Sequence, residues 1–199
     1  MRISDNLFWR RLHSFTGFAA LGGYLLFHLY TNSWSLGGAA SYDAHIKPLR
    51  QMPYLIGIEI FFIFLPLAYH SLYGLYVWYT GKSNALRYGY ARNWLYTMQR
   101  VTGLVVLVFV VYHIYDQRLQ AEPSFMTVQS SISNPTVLIL YVLGVAAAAW
   151  HMFNGLWNAL IKWGVTIGAR AQRISLALFS VMGAGLIYMG LRALAGFMR

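Results

Sequence analysis

The chain has 199 residues, 58% hydrophobic and only 10% charged, against about a quarter charged in soluble domains, which predicts a membrane protein. Its net charge of +10 rests on few acids and long apolar runs, so it reads as topology signal and a basic cytoplasmic face, with no nucleic acid implied. Without cysteine it forms no disulfide, thioether-linked haem, iron–sulfur centre or thiol nucleophile of its own.

Crossing a bilayer takes about 20 apolar residues. Stretches at roughly 14–34, 54–79, 94–116, 135–162 and 173–195 meet or approach that length. Short connections leave no soluble domain, so residues 1–199 are expected to form one all-α integral membrane domain of five helices. Chemistry on a water-soluble substrate is then expected on another chain.

The first stretch opens at "RRLHSFTG" with His13 and Ser14, and it ends beyond "FHLYTN", which holds His28. It is too long for a signal-peptide core and lacks a small-residue cleavage site, which predicts a retained span. The second contains a lone acid, Glu59, then Pro66 and "AYHSLYGLY" with His70. Pro66 leaves the Phe62 carbonyl without its helical donor and predicts a bend. The third runs from "RNWLYTMQRVTG", with Arg100, to "YHIYDQ", with His113. The fourth carries "AWHMFNGLW", with His151, and ends at Lys162; the fifth has no histidine.

Two echoes organise these elements. "AYHSLYGLY" and "AWHMFNGLW" share Ala-aromatic-His, three residues, then Gly-Leu-aromatic. "FHLYTN" and "YHIYDQ" share aromatic-His-aliphatic-Tyr, one residue, then an amide. The pattern predicts two helical hairpins in tandem plus a fifth helix, with equivalent histidines at equivalent depths. His28 and His113 lie three or four residues from polar Asn32 and Asp116, about 5–6 Å below the outer surface. His70 and His151 lie about 17 residues inside the outer ends at Pro53 and Asn134, about 25 Å down.

Lys and Arg set the direction. Arg2, Arg10, Arg11, Lys82, Arg87, Arg92, Arg100, Lys162, Arg170 and Arg173 fall on one side. Lys47, Arg50, Arg118, Arg192 and Arg199 fall on the other. The imbalance predicts a cytoplasmic N-terminus and an external C-terminus. Trp9, Trp34, Trp78, Trp94, Trp157 and Trp163 sit near span ends, as interfacial residues do.

One intramembrane histidine reads equally as a hydrogen-bonded structural residue. Four, paired by depth and by repeat, point to metal ligation. Two nitrogens per level are too few for a closed zinc site but serve as axial ligands of a porphyrin. Two stacked b-type haems follow, one on His28 and His113, the other on His70 and His151. Gly74 and Gly155, a turn after the inner histidines, are expected to leave room for the macrocycle, or to pack helices; Gly17 is open to the same two roles. His13, Ser14, Arg100 and Lys162 are candidates for the inner propionates, with snorkelling an equal reading for the two cations. Glu59 is a candidate proton handler beside a quinone, or a carboxyl bonded to a neighbouring helix or to Arg50 or Arg192. His45 is expected in an external loop. A haem-free proton relay or transporter remains open on these residues.

"FWRRLHSFTG", "EIFFIFLPLAYHSLYGLY", "RNWLYTMQRVTG", "HMFNGLW" and "QRIS" resemble, nearly end to end, the di-haem cytochrome b subunit of succinate dehydrogenases and fumarate reductases, of the single five-helix anchor type. The resemblance implies the same histidine pairs, His28 with His113 and His70 with His151. It implies a cytoplasmic flavoprotein with FAD, an iron–sulfur protein docked on the inner face, and menaquinone in the bacterial cytoplasmic membrane. Electrons are then expected to pass from the partner subunits to the inner haem, the outer haem and quinone, or in reverse. A glutamate used for proton transfer in some fumarate reductases precedes the fourth-helix ligand; the matching stretch here is Ala146 to Ala149. The cytochrome b subunit of a hydrogenase or formate dehydrogenase is the redox alternative.

Overall fold

The computed structural model describes residues 7–120 and 122–199. Arg2, counted above on the cytoplasmic side, lies outside them. The described residues form helices and their connections, with no strand among them. Four helices are long and apolar enough to cross a membrane: Leu55–Thr80, Ala91–Leu119, Pro135–Lys162 and Ala169–Gly196. The helical run over 7–32 is of similar length but is not one of the four. Its two histidines, its glycines and its hydroxyls lower its apolarity, and several of them face the other helices.

That first helix is not uniform. It is α-helical over Leu7–Phe15, widens to a π-helix over Thr16–Gly22, and tightens again over Gly23–Asn32. The second shows the same interruption, a π segment at Ile60–Phe64 immediately before Pro66. A proline cannot donate to the carbonyl four residues back, and a wider turn accommodates that loss. The third widens only at its end, over Tyr115–Leu119.

The fourth helix is the centre of the bundle, packed against the third and the fifth. Ala149 is fully buried there, and Phe153 and Leu186 pack around it with Leu29 of the first helix. A second core gathers Tyr42, Phe109, Phe125, Tyr141 and Phe197. The second helix buries no residue completely and packs mainly on the π segment of the first. Large apolar side chains point outward along the long helices, among them Phe61, Leu72, Val108 and Val181. Such a surface suits lipid, where backbone groups are satisfied within each helix.

The connections at the end near residue 34 are themselves helical. The segment expected to be a loop around His45 is a helix, Gly38–Arg50, and His45 stacks on Trp34 with centroids 3.6 Å apart. A shorter helix, Phe125–Ile132, begins with Ser124 and Thr127 in a capping box. Asp43 joins the two by accepting from the Phe125 backbone N–H at 2.8 Å. Burial, with Asp43 adjacent, pushes the Tyr42 phenol up to about 12, so it remains a neutral donor near neutral pH.

Candidate functional site

The four histidines His28, His70, His113 and His151 meet in two pairs. His28 and His113 approach with ring centroids 5.6 Å apart, and His70 and His151 with centroids 6.3 Å apart. The inner pair lies beside Gly17 and Gly103, which precede His28 and His113 by 11 and 10 residues. At the helical rise this separates the two pairs by about 15 Å along the helices.

At the inner level the two hairpins use matching parts. The His70 Nδ1–H donates to the His13 carbonyl at 3.0 Å, and the His151 Nδ1–H to the Gln99 carbonyl at 3.1 Å. Three residues beyond each carbonyl a threonine donates to it as well, Thr16 at 3.1 Å and Thr102 at 3.3 Å. Four residues beyond each carbonyl stands a glycine on which the imidazole rests. A Cβ at Gly17 would lie 2.4 Å from His70, and one at Gly103 would lie 3.1 Å from His151. "RLHSFTG" and "TMQRVTG" are therefore one structural motif, with Thr-Gly closing each.

The spaces beside Gly74 and Gly155 are occupied by polar groups from those same motifs. His13 stacks on His70 at 4.2 Å and brings its Nε2 to within 3.3 Å of where a Cβ on Gly74 would be. That nitrogen is buried and has no hydrogen-bond partner. The Gln99 amide nitrogen comes to within 2.9 Å of the matching position at Gly155, and its oxygen accepts from Asn154 at 2.6 Å. The two glycines admit side chains with polar ends, where the sequence predicted clearance for a flat ring.

The outer level is built differently in each hairpin. In both, the ring four residues before the histidine lies against it: Tyr24 on His28 at 5.4 Å and Phe109 on His113 at 5.5 Å. The Tyr24 hydroxyl is 3.5 Å from His28 Nδ1, the far limit of a hydrogen bond. His113 Nδ1 is 3.2 Å from the hydroxyl of Tyr141, which donates to Asp116 at 3.1 Å. Asp116 also accepts from Gln117 at 2.8 Å and from Ser131 at 3.1 Å.

Glu59 lies on the other side of this level. Its partner is neither Arg50 nor Arg192. Arg118 grips it with two bonds, Nη2 at 2.8 Å and Nε at 3.2 Å. Arg50 pairs with Glu122 and donates to the Pro123 carbonyl. Arg118 reaches Glu59 because the π segment at Tyr115–Leu119 carries the third helix on past its polar residues.

The four residues expected around the inner propionates do not form one cluster. His13 is against His70, and Lys162 is near enough to act on it electrostatically. Ser14 is half-buried and donates to its own helix at the Arg10 carbonyl. Arg100 turns to the Trp78 and Gly81 carbonyls at the end of the second helix and lies over Trp78 and Tyr96. Sequence reasoning missed Gln99, Thr16 and Thr102, Gly103, Asp116 and Tyr141. Aligning "RLHSFTG" with "TMQRVTG" would have found the first four.

The donor set fits a haem better than a bare ion. Among the described residues no three His, Cys, Asp or Glu side chains converge on one point. Two imidazoles with a metal–nitrogen bond of about 2 Å on each side stand with ring centres roughly 6 Å apart, close to both spacings here. Porphyrin supplies the four remaining ligands.

Comparison with known proteins agrees with this geometry. The model of the succinate dehydrogenase/fumarate reductase transmembrane subunit family matches residues 82–191. Over 194 residues the chain is 39% identical to the succinate dehydrogenase cytochrome b558 subunit of Bacillus subtilis (strain 168), covering 96% of each chain. The chain belongs to this family.

Proposed function

We propose that this multi-pass member of the succinate dehydrogenase/fumarate reductase membrane-subunit family is a di-haem electron conduit to menaquinone. The observation that carries the proposal is the pair of facing imidazoles at each of two levels, one imidazole from each hairpin. His70 and His151 would hold the inner haem, and His28 and His113 the outer one. When bound, the haems supply one-electron carriage between the cytoplasmic flavoprotein and iron–sulfur subunits and the quinone.

The chain's own residues prepare that site. Each inner imidazole has Nδ1 committed to a main-chain carbonyl, which fixes its tautomer and leaves Nε2 as the ligand nitrogen, with the Gln99 amide 3.3 Å from that of His151. Each such bond contributes about 1 kcal/mol, but its main effect is to hold the ring in one orientation. Lys162 and His13, which interact electrostatically, are the candidates we favour for meeting the inner propionates. Arg100 and Ser14, committed to backbone carbonyls, are weaker candidates for that role. Glu59, held by Arg118, is the group we assign to accepting or giving a proton at the quinone. The orientation implied has the N-terminus in the bacterial cytoplasm and the C-terminus outside.

A reduced-minus-oxidised visible spectrum of the purified complex, with succinate or fumarate added, tests the reading. Two b-type alpha bands are expected to respond to substrate. Absence of any b-type band would sink the proposal in favour of a haem-free role.

A further inference from the structure

The group behind His113 has no counterpart behind the other three histidines. His70 and His151 rest on main-chain carbonyls, and His28 has the Tyr24 hydroxyl only at 3.5 Å. His113 alone of the four faces a phenol, Tyr141, that is bonded onward to a carboxylate. Tyr141 is 4% exposed and its ring is fixed between Phe109 and His113. Asp116 is oriented by three donors, Tyr141, Gln117 and Ser131, drawn from the third and fourth helices and the short helix between them. All three donors are neutral side chains. The neighbouring cation, Arg118, is turned to Glu59.

The repeat shows that this arrangement is not a by-product of the fold. Asp116 follows its histidine by three residues, where the first hairpin has Thr31, which bonds only to its own helix at the His28 carbonyl. Tyr141 precedes His151 by 10 residues, and Glu59 precedes His70 by 11 with one π segment between. A π segment holds one extra residue, so Glu59 and Tyr141 occupy the same place in their hairpins. The first hairpin puts an acid there and sends it to an arginine. The second puts a phenol there and uses it to connect an acid to a histidine.

We infer that Tyr141 and Asp116 are positioning residues that tune the outer haem through His113. The inference rests on the assignment of His113 as an iron ligand. The phenol accepts from Nδ1–H while giving its own proton toward the carboxylate. That polarisation gives the imidazole more anionic character and makes it a stronger donor to ferric iron. The Asp116 oxygens that accept these bonds add negative potential beside His113, which favours the ferric state in the same direction. Both effects hold the outer haem at a lower potential than it would have with a bare imidazole. Both are weaker at the inner pair, about 15 Å away along the helices.

The test is a potentiometric titration of the intact complex, followed in the alpha band, for Tyr141→Phe, Asp116→Asn and the double variant. Each single variant is expected to raise the midpoint of one haem and leave the other in place. The double variant should shift no further than the larger single one, since the residues act in series. Two haems with both midpoints unmoved would overturn the inference while leaving the haem assignment intact. Equal shifts of both haems, or fully additive shifts, would also overturn it, because they report a general loosening or independent effects. A wild-type complex without b-type haem would overturn both this inference and the proposed function. If Tyr141→Phe loses the outer haem, Asp116→Asn decides the matter, since Asp116 touches no ligand.

Discussion

The inner halves of the two hairpins are built from the same parts, and the outer halves are not. Gly17 under His70 and Gly103 under His151 let a helix carbonyl meet Nδ1 in both hairpins. Outside that level, one hairpin has Thr31 and Glu59 where the other has Asp116 and Tyr141. A carbonyl cannot be substituted away, so the inner imidazoles are held by groups that sequence drift leaves alone. The outer imidazoles face side chains that can be exchanged one at a time. The repeated scaffold is thus kept around His70 and His151 and differentiated around His28 and His113.

Removing an inner ligand has the largest expected effect on this comparison. His70→Ala or His151→Ala should cut the haem content of the purified membrane fraction by about half and prevent the flavoprotein from co-purifying. A pyridine haemochrome assay showing both haems retained would contradict the assignment. Next come the supporting glycines. Gly17→Ala puts a Cβ 2.4 Å from His70 and should cost about 1–3 kcal/mol by overpacking, with partial loss of the inner haem. Gly103→Ala, at 3.1 Å, should cost less than about 1 kcal/mol. Equal effects in thermal denaturation and haem content would break the idea that the first hairpin is the tighter of the two.

Glu59→Gln acts on the outer level alone. Quinone turnover is expected to fall roughly tenfold, about 1.4 kcal/mol in barrier, with both haems retained. Stability should change by only about 0.2–1 kcal/mol, because the Arg118 side chain is 42% exposed and the Glu59 side chain 18%. Unchanged quinone turnover would reduce Glu59 to a helix tie. The smallest effect belongs to Tyr24→Phe. Its hydroxyl is 3.5 Å from His28 Nδ1, so the variant should shift a haem midpoint by much less than Tyr141→Phe does.

The spans from the second to the fifth were legible because long apolar runs have few alternatives in this composition. The pairing of histidines was legible because helix rise converts spacing into depth. Less visible was anything that depends on which direction a side chain takes once helices meet. Arg118 sits two residues beyond Asp116, and periodicity alone does not say that a π turn sends it to Glu59. Asp116 read only as the polar end of a span, since its role depends on Tyr141, 25 residues later in the chain. Arg100 was open to a propionate or to snorkelling, and periodicity does not say that it bonds the carbonyls at the end of the second helix. The helix around His45 was hidden by Gly37, Gly38 and Pro48, residues that ordinarily signal a loop.

The π segment at Thr16–Gly22 has one more consequence. Eleven residues separate Gly17 from His28, and ten separate Gly103 from His113. At about 100° per residue, that difference would turn His28 away from its partner by more than a quarter of a revolution in an ideal α-helix. The wide turn takes up the surplus residue and restores the bearing. It works as slack in a tether, letting two hairpins of unequal length keep their load-points aligned. Deleting one residue between Ala19 and Leu21 should therefore tighten the turn to α and leave the imidazole facing the same way.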